Sequence, residues 1–243
     1  MRKYLLLPLF LLIFTVFSAS AQVKSYIGFF GGLSSPIDNF AKSEYGEIYK
    51  ENNKAGYAKN GFTFGVDGAW YLYKNLALAG VISYQDQGRL SHKDVENLSA
   101  GYTDGFAVDN STVTSNKRYR NLNVLVGPQY SFLLHPKLIL DVRAVAGVIK
   151  SFSTPELKVD LEDDPTHTFY QRSSTASTFA YGGGIGLRYS LTNKIGLALR
   201  GNYIGADGIK ITNDNRNINA GRLVTKQPIS EIQTTLGLFY NLK

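Results

Sequence analysis

Residues 178–191, TFAYGGGIGLRYSL, change character at every step. Odd positions carry Phe179, Tyr181, Ile185, Leu187, Tyr189 and Leu191, interrupted only by Gly183. Even positions carry Thr178, Ala180, Gly182, Gly184, Gly186, Arg188 and Ser190. A period of two belongs to a β-strand, here with one large apolar face and one small or polar face. A soluble sandwich would fill the second face with Lys, Glu and Thr. Glycine there means that the face meets something crowded rather than open water.

The same split recurs in residues 24–33, 61–73, 76–87, 119–133, 138–149, 195–205 and 230–242, which makes eight expected strands. Three connections between them are brief (73–75, 135–137 and 192–194). Four are long and polar (34–60, 86–118, 151–176 and 206–228). An even strand count with short turns at one end and long loops at the other is the pattern of an outer-membrane barrel. The expected fold is therefore all-β: an eight-stranded antiparallel up-and-down transmembrane β-barrel occupying residues 22–243, with both ends of the chain on the short-turn side.

The N-terminus agrees with export. Met1-Arg2-Lys3 lead into an apolar run from Tyr4 to Phe17, followed by Ser18-Ala19-Ser20-Ala21. A basic start, a short apolar stretch and small residues before a cut mark residues 1–21 as a signal peptide cleaved after Ala21. The chain has no cysteine, so neither disulfides nor thiol chemistry enter. Beyond Ala21 no apolar run approaches the roughly 20 residues of a membrane helix, yet a closed barrel also satisfies every backbone group in lipid. The formal charge of +7 would suit nucleic acid, but export and the placement of the charges exclude that partner.

An eight-stranded barrel is only wide enough inside for side chains to fill it. Glycine and alanine on the inward face make room for a few long polar groups, namely Asp67, Asp141, Glu231, Arg143, Arg188 and Arg200. Three acids and three arginines balance, as one buried lumen network would require. Outward, Trp70, Tyr130, Tyr189 and Tyr240 fall near the short turns, and Phe62, Tyr84, Tyr181 and Tyr203 nearer the long loops. Two aromatic belts around an aliphatic band match two membrane interfaces. A soluble lipocalin-like barrel would instead place charged residues outside, and no acid occupies an outward mid-strand position. All but three of the 19 acids lie in the long loops. The short-turn end holds Lys24, Lys74, Lys137, Lys194 and Lys243, which either bind lipid phosphates or merely snorkel at the interface.

In these respects the chain resembles the small outer-membrane β-barrel proteins of Gram-negative bacteria, of OmpA/OmpX type, within the broad family that includes PorT-like barrels. The residues carrying the likeness are YIGFFGGLSSPIDNF (26–40), NVLVGPQYSF (123–132) and TTLGLFYNLK (234–243). The resemblance spans the mature chain and implies an outer-membrane location and insertion by the barrel-assembly machinery. Leu242-Lys243 stand where the family ends in an aromatic, with Tyr240 the nearest outward aromatic. Family members serve as structural proteins, adhesins, secretion components or, rarely, lipid-modifying enzymes.

Chemistry finds little footing. The histidines, His92, His135 and His167, fall in loops or a turn. The lipid A deacylases of this fold pair Ser with His on the outer wall, a base that is missing here. GGGIG (182–186) lacks the third glycine and the strand-to-helix setting of a phosphate-binding loop. The cluster Asp160, Glu162, Asp163 and Asp164 offers oxygen ligands that would hold Ca²⁺ at most weakly; its spacing matches no calcium loop and reads as a solvated acidic loop. No catalytic, metal or cofactor residue is assigned. The expectation is a monomeric, non-enzymatic, porin-like cell-surface barrel that contacts outer-membrane lipids and engages an extracellular protein partner through its four long loops or a periplasmic one through its lysine ring. A narrow channel or secretion-associated barrel is the second reading, and a lipid-acting enzyme a third.

Overall fold

The computed structural model describes residues 23–43, 54–162, 168–211, 213–215 and 226–242. The signal segment with Ala21, and also Asp163, Asp164, His167 and Lys243, lie outside them. Eight long strands close into one barrel: β1 (Tyr26–Pro36), β2 (Gly61–Tyr73), β3 (Leu76–Gln87), β5 (Arg120–His135), β6 (Leu138–Ser153), β9 (Ser177–Ser190), β10 (Ile195–Lys210) and β12 (Lys226–Asn241). Each pairs antiparallel with its neighbour along the chain, and β12 returns to β1 from Tyr26↔Asn241 to Pro36↔Glu231. Closure removes both sheet edges, which is what permits a sheet to sit in lipid.

The outer wall is apolar. Phe29, Phe64, Leu72, Ile82, Val126, Ile185, Leu199, Leu236 and Leu238 are all exposed, and Trp70 retains 62% of its surface. Phe62, Tyr130, Tyr181, Tyr189, Tyr203 and Tyr240 are exposed with them, and Tyr84 joins Phe64 at a centroid distance of 5.3 Å. An exterior of this kind stands against hydrocarbon, and the chain is a transmembrane β-barrel of the bacterial outer membrane.

Strands β5, β6, β10 and β12 each run 16 residues, longer than the alternation alone suggests. At about 3.3 Å per residue and a tilt near 40°, that gives roughly 40 Å of height against an apolar band of about 25 Å. The excess stands clear of the membrane on the long-loop side. There the outward residues turn polar (Lys150, Lys210, Lys226), and a bulge between Ala206 and Ile209 resets the parity, so the alternation fades while the ladder continues. Two hairpins also close more tightly than expected: Tyr73 pairs with Leu76 and His135 with Leu138, leaving two residues in each turn. His135 thus ends β5 at a hairpin tip rather than lying in the turn.

The larger departure lies in the long connections, which fold. A helical turn, α1 (Asp38–Ala41), follows β1, and a full helix, α2 (His92–Phe106), follows β3. Short strands β4 (Ser111–Asn116), β7 (Glu156–Leu161), β8 (Thr168–Gln171) and β11 (Asn213–Asn215), drawn from three connections, make a second antiparallel sheet in the order β11-β8-β7-β4.

Candidate functional site

Two regions carry the polar chemistry of the molecule: the lumen and the cap formed by the second sheet. The lumen is built in layers. Nearest the short turns, Arg188 donates from Nε to Asp141 Oδ2 at 2.6 Å and from Nη2 to Asp141 Oδ1 at 3.0 Å. Nη2 also reaches Tyr71 Oη at 2.8 Å, and Ser131 Oγ donates to Asp141 Oδ1 at 2.6 Å. The Tyr71 hydroxyl bonds Ser131 Oγ in turn, and the Arg188 guanidinium lies 4.0 Å from the centre of the Tyr26 ring. A bidentate carboxylate and an aromatic face hold the fully buried guanidinium, of which Nη1 alone finds no hydrogen-bond partner among the described residues.

The next layer centres on Asp67. Its Oδ2 accepts from Arg143 Nη1 at 3.0 Å and lies 3.2 Å from Arg200 Nη2. Arg143 also donates from Nη2 to Asn202 Oδ1 at 2.9 Å. The glycines of β9 now have a physical reason. A Cβ on Gly184 would stand 2.2 Å from Asn202 Oδ1, and one on Gly186 would stand 2.8 Å from Arg200 Cγ. These glycines clear the space that the polar side chains of β10 occupy.

Glu231 is elsewhere. Its Oε2 accepts from Ser34 Oγ at 2.8 Å and Gln87 Nε2 at 2.9 Å, and its Oε1 from Gln233 Nε2 at 2.7 Å. No arginine among the described residues bonds it. The single six-membered network expected from charge balance is therefore corrected: two acids serve three arginines toward the turn end, and the third acid sits among hydroxyls and amides. Balance of charge over the whole lumen does not fix pairing, because strand stagger sets which inward residues meet.

Above Glu231 the barrel is stoppered. Phe40 of α1 is fully buried and meets the Tyr119 ring edge-on at 4.9 Å, amid Ala58, Ile149, Ile209 and Ile229. Tyr119 Oη donates to the Gly56 carbonyl at 3.0 Å, and Gln227 Nε2 to the Lys54 carbonyl at 3.2 Å, tying the first long connection across the opening. Burial pushes the Tyr119 phenol up from its ordinary pKa, the neighbouring Tyr57 adding to the shift.

The cap stands beyond the stopper. Its inner face carries Val113, Leu157, Val159, Leu161 and Phe169, which pack on Leu98 and Tyr102 of α2. Ser91 begins α2 with a reciprocal capping box: Ser91 Oγ accepts from Asp94 N at 3.2 Å, and Asp94 Oδ2 accepts from Ser91 N at 2.8 Å. Lys59 ties Asp94 back to the first connection at 2.8 Å. The outer face is polar, with Thr112 and Thr114 exposed and Lys158 paired to Asp160 at 2.7 Å. Burial opposes ionisation of Asp160, but hydrogen bonds from Lys158 and Thr168 outweigh it and hold its pKa below the ordinary value. Asp160 is thus engaged within the sheet, and Glu162 follows β7 in a left-handed turn. His92 opens α2 and pairs with Glu96 on the surface at 3.1 Å.

The cap was not expected, although its signals are in the sequence. Ser91-x-x-Asp94 is a helix start, and Val95, Leu98, Tyr102 and Phe106 recur at helical spacing. Alternation in Leu157, Val159 and Leu161 marks β7.

No protein-family model matches this chain, and no curated protein matches it. Among solved structures it is similar to Neisserial surface protein A, at 9% identity over 92% of this chain and 100% of that one, with a TM-score of 0.47. A major outer membrane protein from Thermus thermophilus shows 15% identity over 90% of this chain and 100% of that one, with a TM-score of 0.45. Ail, the attachment invasion locus protein of Yersinia pestis, shows 11% identity over 90% and 97%, with a TM-score of 0.39.

Proposed function

We propose that this protein is a non-enzymatic, non-conducting outer-membrane barrel whose extracellular cap is its interaction surface. The observation that carries the reading is the cap's own core: α2 with strands β4, β7 and β8 buries Leu98, Tyr102 and Phe169 in a cluster separate from that of the barrel. Segments that served only to join strands would have no reason to bury such a core. The barrel is the rigid mount, and the polar outer face of the sheet, with Thr112 and Thr114 exposed, is what a partner outside the cell meets.

The arginine–carboxylate layers and the Phe40–Tyr119 stopper support a sealed lumen. Support for a non-enzymatic role comes from His92, bound up with Glu96 on the surface, and His135, at an exposed hairpin tip. A photoreactive residue placed at Thr114 should form adducts on intact cells, whereas one placed at Pro136 in the opposite turn should not meet an extracellular partner. Extracellular adducts at Pro136 with none at Thr114 would overturn the assignment.

A further inference from the structure

The lipid-facing wall has a notch where two strands lack outward side chains. Gly68 on β2 and Gly80 on β3 stand directly opposite each other, flanked in register by Ile27 on β1 and Val126 on β5. Bulkier outward residues lie on both sides: Val66 and Ile82 on one, Trp70 and Leu78 on the other. The result is a groove of about 500 Å³ lined chiefly by apolar side chains. That is within the range of roughly 300–1,000 Å³ typical of small-ligand sites. A Cβ at Gly80 would find no atom within 4 Å, so the space is open to an occupant.

We infer that the groove holds one acyl chain of an anionic phospholipid of the periplasmic leaflet, with the lipid's phosphate at Lys74. The spacing and the charge both point there. Lys74 is at the tip of the same hairpin, six residues from Gly68 and six from Gly80. Six residues at about 3.3 Å, tilted near 40°, cover roughly 15 Å of depth, half of a hydrocarbon core of about 30 Å. The groove therefore lies one acyl-chain depth from the lysine. The ammonium sits 5.3 Å from the Tyr73 ring centre at the exposed turn. Lys24, Lys137 and Lys194 share that end, and no acid among the described residues is exposed there, Asp141 being buried in the lumen. An anionic headgroup is the complement of such a surface.

Trp70, the only tryptophan in the chain, lines the groove and reports on it directly. The experiment uses the full mature barrel in phosphatidylcholine bilayers doped with chain-brominated lipid, a contact quencher of tryptophan. Brominated phosphatidylglycerol is expected to quench Trp70 several-fold more steeply per mole than brominated phosphatidylcholine. Lys74→Glu should abolish that preference. Gly80→Leu, which fills open space, should abolish it while the barrel stays folded by its heat-shifted gel migration. Lys74→Glu, at an exposed turn, decides the matter should Gly80→Leu fail to fold. Equal quenching by the two lipids in the wild type overturns the inference, since ordinary annular contact would then suffice. Preference surviving Lys74→Glu overturns it too, as does quenching by neither lipid, which would mean that a second copy of the chain covers the groove.

Discussion

Arg188 grips both carboxylate oxygens of Asp141, through Nε at 2.6 Å and Nη2 at 3.0 Å, and is itself completely buried. The pair joins β6 and β9, whose backbones are already laddered together from Leu138↔Tyr189 to Lys150↔Ser177. Removing the cation leaves a buried carboxylate with only Ser131 to bond it. Arg188→Ala should cost on the order of 3–5 kcal/mol, read as a lower temperature for loss of the folded gel form. Leu199→Ile on the outer wall keeps volume and apolarity and should melt close to the wild type. Melting in the reverse order would mean that the wall has been turned inside out.

The split of the lumen charges makes a second, sharper comparison. Asp67 bridges Arg143 and Arg200, so Asp67→Asn strands two guanidinium groups. Glu231 is bonded by Ser34, Gln87 and Gln233 and by no arginine among the described residues, so Glu231→Gln removes no counter-charge. The first substitution should lower the melting temperature markedly more than the second. Equal effects would argue for the single network that the charge count alone suggests.

Much of the barrel is legible in the sequence because lipid and lumen impose opposite demands on alternate residues. Residues 61–73 and 76–87 are readable to the residue for that reason. The signal fails where the demand lapses. Past the membrane, Lys150, Lys210 and Lys226 face water, and the bulge after Ala206 shifts the parity. The six candidate lumen residues can be named from parity. Their pairing cannot, since Glu231 differs from Asp67 and Asp141 only in the stagger that decides which residues lie at its level. The cap escapes for another reason: its strands β7 and β8 are six and four residues long. They pair with each other, but the sheet is completed only by β4 and β11, from two other connections.

Cap and barrel have separate cores, so they should fail separately. Phe169 is buried against Tyr102 and Phe106, with ring centroids 6.1 and 5.1 Å away. Phe169→Ala should cost the cap about 3–5 kcal/mol. Limited proteolysis should then cut α2 while the barrel's melting temperature stays near the wild-type value. Parallel loss of both would show that the cap is part of the barrel's own core.

Alkali should loosen the cap for a distinct reason. Burial, with Tyr57 adding to it, pushes the Tyr102 phenol above its ordinary pKa. A raised folded-state value means that stability is whole below the unfolded value near 10 and drains as pH rises past it. For one phenol the slope is about 1.4 kcal/mol per pH unit. Protease sensitivity of α2 should rise between about pH 10 and 11.5, and Tyr102→Phe should flatten that rise. An unchanged profile in the variant would assign the alkaline loosening to another group.

The most direct test of the proposed surface role is electrical, because that role requires a sealed lumen rather than a pore. Purified barrel is inserted into planar bilayers, insertion is verified by protease protection of the hairpin turns, and current is recorded under an applied voltage. With Arg143, Asp67 and Arg200 crossing the bore and Phe40 closing the mouth against Tyr119, the expected record matches a protein-free bilayer. Steady unitary currents from the wild-type barrel would contradict the sealed lumen and make the protein a channel.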